Sequence, residues 1–272
     1  MKSTQELFSL QGKTAIVTGA LGLIGKKHCE ALSVAGATVV VADINELKAI
    51  AFAESLKDGR SFGIGIDVTN KDRIQVVRDT ILSKTGSIEI LVNNAAINDM
   101  VENPDAAAEM SKFENYPLDL FRKVLDVNVT GMFLCSQVFG TEMAKQSKGS
   151  IINVASTYGI VGPDQSIYIK PDGTQPFFKS PAYPTTKGAV INFTRYLAAY
   201  WGKCGVRVNT LSPGGVENGQ DAYFIQNYAN KTPLGRMAQP NDYQGALVFL
   251  ASDSSMYMTG ANVVVDGGWT AW

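Results

Sequence analysis

The sequence predicts one α/β domain in which helices cover both faces of a doubly wound parallel sheet, and three observations carry that prediction. Short β-branched runs alternate with longer amphipathic stretches along the chain, the pattern of βαβ units. The apolar runs are continuous rather than alternating, TVVVA at 38–42 being the clearest, as strands buried on both faces require. No internal period, low-complexity tract or charged linker divides the 272 residues. They read as a single large domain that needs no metal or disulfide to hold its core.

Taken in order, a strand at 14–17 feeds a helix over 23–34 through a glycine-rich turn. The run at 38–41 precedes a helix over 46–56, and 63–66 precedes one over 73–82. A strand at 88–92 leads into a long segment ending near residue 144. The strand at 150–154 is followed, after an insertion, by a helix over 183–201, where Pro184 suits a first helical turn. A strand at 207–211 precedes a helix near 242–251, and 261–265 closes the sheet. Three stretches break the rhythm. Residues 97–117 are polar, acidic and proline-interrupted, residues 157–181 carry Gly159, Gly162, Pro163, Pro171, Gly173 and Pro176, and 215–235 follows the sixth strand. Irregular segments of that length are commonly functional, so they are read as substrate walls, or alternatively as surfaces packed on another subunit.

Composition excludes several classes. Twenty-four Lys and Arg against 25 Asp and Glu give a net charge of -1, which leaves no basic footprint for nucleic acid or an anionic membrane. Cys29, Cys135 and Cys204 are too few and too scattered for a disulfide framework or a Cys-x-x-Cys pair, so a reduced, cytoplasmic compartment is expected. The first ten residues hold Glu6 and no signal-peptide core, and no run of apolar residues reaches membrane-spanning length. His28 is the one histidine; no metal site is expected, and proton transfer must rest on another side chain.

The glycine turn reads Thr18-Gly19-Ala20-Leu21-Gly22-Leu23-Ile24-Gly25 directly after the first strand. Glycines there allow a tight turn, close approach of a pyrophosphate and tight helix–strand packing, while the amides of Leu23 and Ile24 at the helix start hold the anion. Asp43 ends the second strand eighteen residues beyond Gly25, near the ~20 expected for a carboxylate accepting from ribose hydroxyls. Such a carboxylate repels a 2′-phosphate, which favours NAD over NADP, with Lys26 and Lys27 read as exposed helix charges. Asp67 and Val68 after the third strand, and Asn93, Asn94 and Ala95 after the fourth, fall at strand ends where the adenosine half of a dinucleotide binds.

Tyr183-Pro184-Thr185-Thr186-Lys187 places a phenol and an ammonium four apart on one face of a helix start. A free tyrosine has a pKa of about 10, so acid–base work near neutrality asks for a fall of some three units, about 4 kcal/mol. Lys187, an oxidised nicotinamide and the helix N-terminus are the expected contributors.

With these residues in view, the chain resembles the short-chain dehydrogenase/reductase family over essentially its whole length. The resemblance rests on TGALGLIG, Asp67-Val68, Asn93-Asn94-Ala95, Asn128 in DVNVTG, Ser156 in GSIINVAS, YPTTK, Pro213-Gly214 and the closing Val265-Asp266-Gly267-Gly268. It implies a Rossmann-type fold and hydride transfer between nicotinamide and a secondary alcohol or ketone. Tyr183 is then the acid/base, Ser156 the hydroxyl on the substrate oxygen, and Lys187 the residue that binds the nicotinamide ribose and lowers the Tyr183 pKa. Asn128 is implied to hold a water that links Lys187 to solvent, and Pro213, Gly214 and Val216 to lie against the nicotinamide. Dimers or tetramers built through 118–144 and 188–201 are implied as well.

The chain departs from the family pattern at four places. The middle glycine stands one place early at Gly22, a spacing similar to sugar-nucleotide epimerases; Ala96 stands where glycine is commoner; Glu217-Asn218 replaces the usual threonine; and Ser156 and Tyr183 are about a dozen residues further apart than usual. STYGIVGPDQ and LSPGGVENGQ resemble the flagellin modification branch linked with nonulosonic sugars. The substrate expected is therefore a sugar, sugar phosphate or nucleotide sugar. The alternatives are an acyl-thioester reductase, an epimerase or dehydratase that retains its NAD, and a non-enzymatic NAD-responsive regulator. The aromatic tail 269–272 is read as packing on a second subunit or closing the pocket.

Overall fold

The computed structural model describes residues 2–56, 59–99 and 104–272. In chain order the elements are α1 (Thr4–Phe8), β1 (Thr14–Thr18), α2 (Leu23–Val34), β2 (Thr38–Asp43), α3 (Glu46–Ser55), β3 (Phe62–Gly65) and α4 (Lys71–Thr85). Then follow β4 (Ile90–Asn93), α5 (Pro104–Met110), α6 (Leu118–Leu125), α7 (Met132–Lys145), β5 (Gly149–Val154), α8 (Ala182–Trp201), β6 (Val206–Pro213), α9 (Ala222–Asn230), α10 (Gln244–Ala251) and β7 (Asn262–Val265).

The seven strands form one parallel sheet in the order β3-β2-β1-β4-β5-β6-β7. Successive strand residues face opposite layers, and both layers are apolar. Ala15 and Val17 of β1 pack with Cys29 and Leu32 of α2 and with Leu247 and Leu250 of α10. Ile16 between them packs with Ile74, Val77 and Ile81 of α4, Phe139 of α7 and Leu197 of α8. Burial on both faces is why these strands read as continuous rather than alternating apolar runs.

The strand order reverses between β1 and β4, because β1 pairs with β2 on one side and β4 on the other. Loops leaving the carboxyl ends of those strands diverge to opposite faces and leave a crevice, the usual ligand position in open α/β sheets.

Strand and helix assignments hold to within a few residues, and the differences lie in the irregular parts. The long segment after β4 resolves into α5, α6 and α7, with a π-helical turn at Asp126–Gly131 joining the last two. Of the 97–117 stretch, residues 100–103 lie outside the described residues. The insert after β5 is not an open loop: it carries short 3-10 turns at Thr157–Gly159 and Gln165–Tyr168, and it buries Ile167 and Tyr168. The 215–235 stretch contains α9. Among the described residues no helix is long and apolar enough to cross a membrane.

Candidate active site

The crevice is a cleft of about 750 Å³ running from the β1–α2 turn to the start of α8. At one end Gly19 has φ +59°, and a Cβ there would meet the Ala95 Cα at 2.6 Å, so the turn closes on β4 only with glycine. A Cβ on Gly25 would meet the Gly19 carbonyl oxygen at 2.5 Å. Gly22 caps α2 without a side-chain hydrogen bond, which leaves the first-turn amides of Leu23 and Ile24 directed at the cleft that both residues line. The early position of Gly22 therefore does not disturb the turn.

Asp43 reaches the cleft from the end of β2, and its Oδ2 accepts from the Leu21 amide at 3.0 Å. The neighbouring Ile44 is 78% exposed and apolar. Asp67 lines the cleft, with Oδ1 accepting from the Thr69 amide at 2.9 Å, and the buried Val68 lies beside it.

Asn93 and Asn94 separate. Asn93 turns into the interior and donates to Ser136 Oγ at 2.9 Å and Asn153 Oδ1 at 2.8 Å, which corrects its reading as a cleft residue. Asn94 donates to the carbonyls of Thr18 and Gly19 at 3.0 and 2.9 Å, while its Oδ1 is buried without a partner. Both it and Ala95 are anchored through Thr18 Oγ1 at 3.1 Å. A buried orphan acceptor is costly, and a hydrogen-bond donor of a bound molecule would satisfy it. The glycine-shaped cradle, the free helix start, Asp43 and the Asn94 acceptor together fit an adenine dinucleotide.

At the other end Pro213, Gly214 and Val216 follow β6 along the cleft. Glu217 turns out to Gln239, at 3.3 Å, while Asn218 and Gln220 line the cleft in place of the missing threonine.

Ser156 at the end of β5 and Tyr183 in the first turn of α8 line the same cleft despite the long insert, and Ser156 Oγ accepts from the Tyr158 amide at 3.2 Å. Lys187 is buried, donates to the Val154 carbonyl at 2.8 Å and lies 5.5 Å from the Tyr183 ring centre. Desolvation lowers it from its ordinary 10.5 to about 8. Desolvation also pushes the Tyr183 phenol above 10, against the opposing pull of Ser156. The expected fall is therefore not supplied by the chain alone: withdrawing water from a phenolate costs more than one hydroxyl returns.

Asn128 does not line the cleft. It sits in the π-helical turn, where Oδ1 accepts from the Ile97 amide at 2.8 Å and Nδ2 donates to the Ile97 carbonyl at 3.0 Å and to Thr186 Oγ1 at 3.1 Å. Thr186 in turn donates to the Tyr183 carbonyl at 2.8 Å. Asn128 thus ties the Ile97 backbone to the helix turn that carries Tyr183. A bulge of this kind often marks a functional position.

The far wall comes from the 157–181 and 215–235 stretches together with Met237, which the sequence reading did not name. Tyr158, Tyr168, Phe224, Tyr228 and Met237 line the cleft beyond Tyr183, and so does Lys179. Tyr168 packs on Phe177 and Phe224 with ring centres 4.9 and 5.3 Å apart, and Tyr228 stacks on Trp269 at 4.2 Å. The tail question is settled in part: Trp269 backs the pocket wall, and Trp272 is 81% exposed. The insert is held to α9 by an Asp164–Lys231 ion pair and by Asn227, which donates to the Ile167 and Ile169 carbonyls at 3.2 Å each. Among the described residues no group of side chains could hold a metal ion.

A dinucleotide cradle running into a serine, a tyrosine and a lysine on one cleft defines a nicotinamide-dependent oxidoreductase. The comparisons agree, and the chain belongs to the short-chain dehydrogenase/reductase family. A family model described as enoyl-(acyl carrier protein) reductase matches residues 19–270. D-threitol dehydrogenase of Mycolicibacterium smegmatis is 34% identical, over 99% of both chains. The 3-alpha-(or 20-beta)-hydroxysteroid dehydrogenase of Mycobacterium tuberculosis is 34% identical, over 96% of this chain and 91% of that one. A gluconate 5-dehydrogenase from Burkholderia cenocepacia, solved in complex with NADP and tartrate, superposes with a TM-score of 0.87 at 29% identity, over 99% of this chain and all of that one. The protein is an oxidoreductase acting on CH–OH groups.

Proposed function

We propose that the protein is an NAD-dependent dehydrogenase interconverting a secondary alcohol and a ketone on a hydroxyl-rich substrate of the polyol or sugar class. The observation that carries this reading is the convergence of Ser156, Tyr183 and Lys187 on the cleft that begins at the glycine turn. A bound nicotinamide supplies hydride exchange. Tyr183 takes the hydroxyl proton in oxidation and returns it in reduction; Ser156 holds the same oxygen, so developing charge meets positioned donors rather than water. Lys187 holds a positive charge beside the phenol and steadies the phenolate.

NAD is favoured because Asp43 places a carboxylate, followed by an apolar Ile44, where a 2′-phosphate would need a cation. A polar substrate is favoured because Asn218, Tyr158 and Tyr168 line the cleft with Tyr183, the two tyrosine hydroxyls lying 3.4 Å apart. Those groups suit a polyol better than an acyl thioester, and also better than the apolar ring system that the aromatic wall would otherwise accept.

The test is NADH formation across a panel of alditols, sugars, nucleotide sugars, steroids and acyl thioesters. Turnover confined to steroids or thioesters rejects the substrate class, and cofactor that survives purification with no net NADH change supports the epimerase alternative instead. Asp43→Asn is expected to narrow the NAD-over-NADP preference in kcat/KM by about 10-fold or more. We further propose a homodimer or homotetramer: Phe193, Tyr196 and Tyr200 stack along α8, Phe133 of α7 tilts on Phe193, and Tyr196 and Tyr200 are 60% and 65% exposed. Sedimentation measures that directly, and Tyr196→Asp is expected to shift it towards monomer.

A further inference from the structure

Lys179 is the one cation besides Lys187 among the described residues that line the cleft, and its position is built rather than incidental. Its Nζ lies 4.7 Å from the centre of the Tyr183 ring, nearer than that of Lys187. The backbone carrying it is clamped by one side chain of the insert: the Lys179 amide donates to Gln165 Oε1 at 2.8 Å, and Gln165 Nε2 donates to the Lys179 carbonyl at 3.1 Å. Next to it, Ser180 Oγ donates to Asp99 Oδ1 at 2.8 Å, which ties the insert to the stretch after β4.

The ammonium itself donates to Asn98 Oδ1, a neutral acceptor, and makes no ion pair among the described residues. Asp99, next to Asn98, is the acid whose charge acts on Lys179, but its two oxygens accept from the Ser180 and Tyr116 hydroxyls. Desolvation lowers Lys179 to about 8, so the group remains mostly charged near neutrality. A desolvated charge is expensive unless an opposite charge comes to it. Here it lies beside the Tyr183 ring with the neutral Asn98 amide as its hydrogen-bond partner, and the carboxylate whose charge it feels, Asp99, is bonded to two hydroxyls.

We propose that Lys179 is the specificity-determining cation of this site and that the preferred substrate is a polyhydroxy acid, whose carboxylate docks on the Lys179 ammonium while a nearby carbinol faces Tyr183. The proposal rests on the polyol dehydrogenase reading above and names its substrate class. A carboxylate is favoured over a phosphate because Lys187 is engaged by Val154, which leaves a single ammonium, matched to one negative charge. The hydroxyl-bearing remainder of the substrate then faces Tyr158, Tyr168 and Asn218, which line the same cleft.

The test uses matched pairs that differ only in the terminal group: D-gluconate against D-glucitol and D-galactonate against galactitol, each with NAD, and D-glucitol 6-phosphate as the phosphate probe. The expected result is a kcat/KM for the acids at least about 10-fold above that for their alditols, the effect of a single charge-assisted hydrogen bond. Lys179→Met brings that ratio towards one, mainly by raising KM for the acids, and Lys179→Arg, which keeps the charge and controls for folding, restores it. Alditols used as well as the acids, an acid preference that survives Lys179→Met, or a preference for the phosphate over gluconate each overturn the proposal while leaving the dehydrogenase reading standing. Absence of turnover for every polyol, charged or not, instead removes the polyol reading and this proposal with it.

Discussion

Tyr183 shows how far chemistry at one residue is set by its surroundings. The Tyr-x-x-x-Lys spacing correctly places phenol and ammonium on one helical face, yet burial moves both groups towards their neutral forms. Alcohol oxidation needs the phenolate, so its rate is expected to climb as pH rises towards about 8. Above that value Lys187 loses its proton and the gain levels off. Tyr183→Phe is expected to lower kcat by about 10²- to 10⁴-fold with NAD affinity little changed, read by steady-state rates and by calorimetric titration with NAD. Asn93 and Asn94 carry the companion lesson: adjacent, chemically identical side chains leave a strand end on opposite sides, and only Asn94 reaches the glycine turn.

At the scale of elements, the helix formed by α6, the π-helical turn and α7 is the piece least visible in the sequence. Hydrophobic periodicity marks its length but does not reveal an inserted residue, because a π turn keeps helical composition while rotating one side chain out of phase. That rotation brings Asn128 to Ile97 and Thr186. Asn128→Ala is expected to cost about 1–3 kcal/mol of stability, since it strands two half-buried backbone groups of Ile97, and to lower kcat while NAD affinity persists. Thermal melting together with kcat and NAD titration separates the two effects. The 157–181 insert gives the converse case: glycines and prolines announced an irregular segment, but its 3-10 turns and buried Tyr168 depend on contacts with α9 and the C-terminal tail, far away in sequence.

For the whole molecule, the core between sheet and helices holds a histidine that the chemistry does not use. His28 on α2 is fully buried with neither ring nitrogen partnered, and desolvation lowers its pKa from 6.5 to about 4. The unfolded chain takes up that proton near pH 6.5 and the folded one resists it until about pH 4. Its contribution is therefore whole above pH 6.5 and is lost as pH falls through that window, about 3 kcal/mol in all. His28→Leu should flatten the acid limb of the stability curve, measured as urea midpoints at about pH 7 and about pH 4.5 in both proteins. An unchanged limb would mean that the imidazole finds solvent.

The sequence by itself determined the sheet, its winding and the cradle end of the cleft. Those features rest on local rules: strand runs buried on both faces, a glycine turn whose backbone tolerates no Cβ, a carboxylate at a strand end and a phenol four residues from an ammonium. Only the tertiary structure decided which polar groups face the cleft: Asn94 but not Asn93, Asn218 and Gln220 but not Glu217, and Lys179 together with its tyrosine wall. The physical reason is that a side chain's environment is made by segments remote in sequence. Periodicity and spacing say which way a residue points along its own element, but the partner it meets there, and whether water is excluded, is fixed only when the strands pair and the insert folds over them.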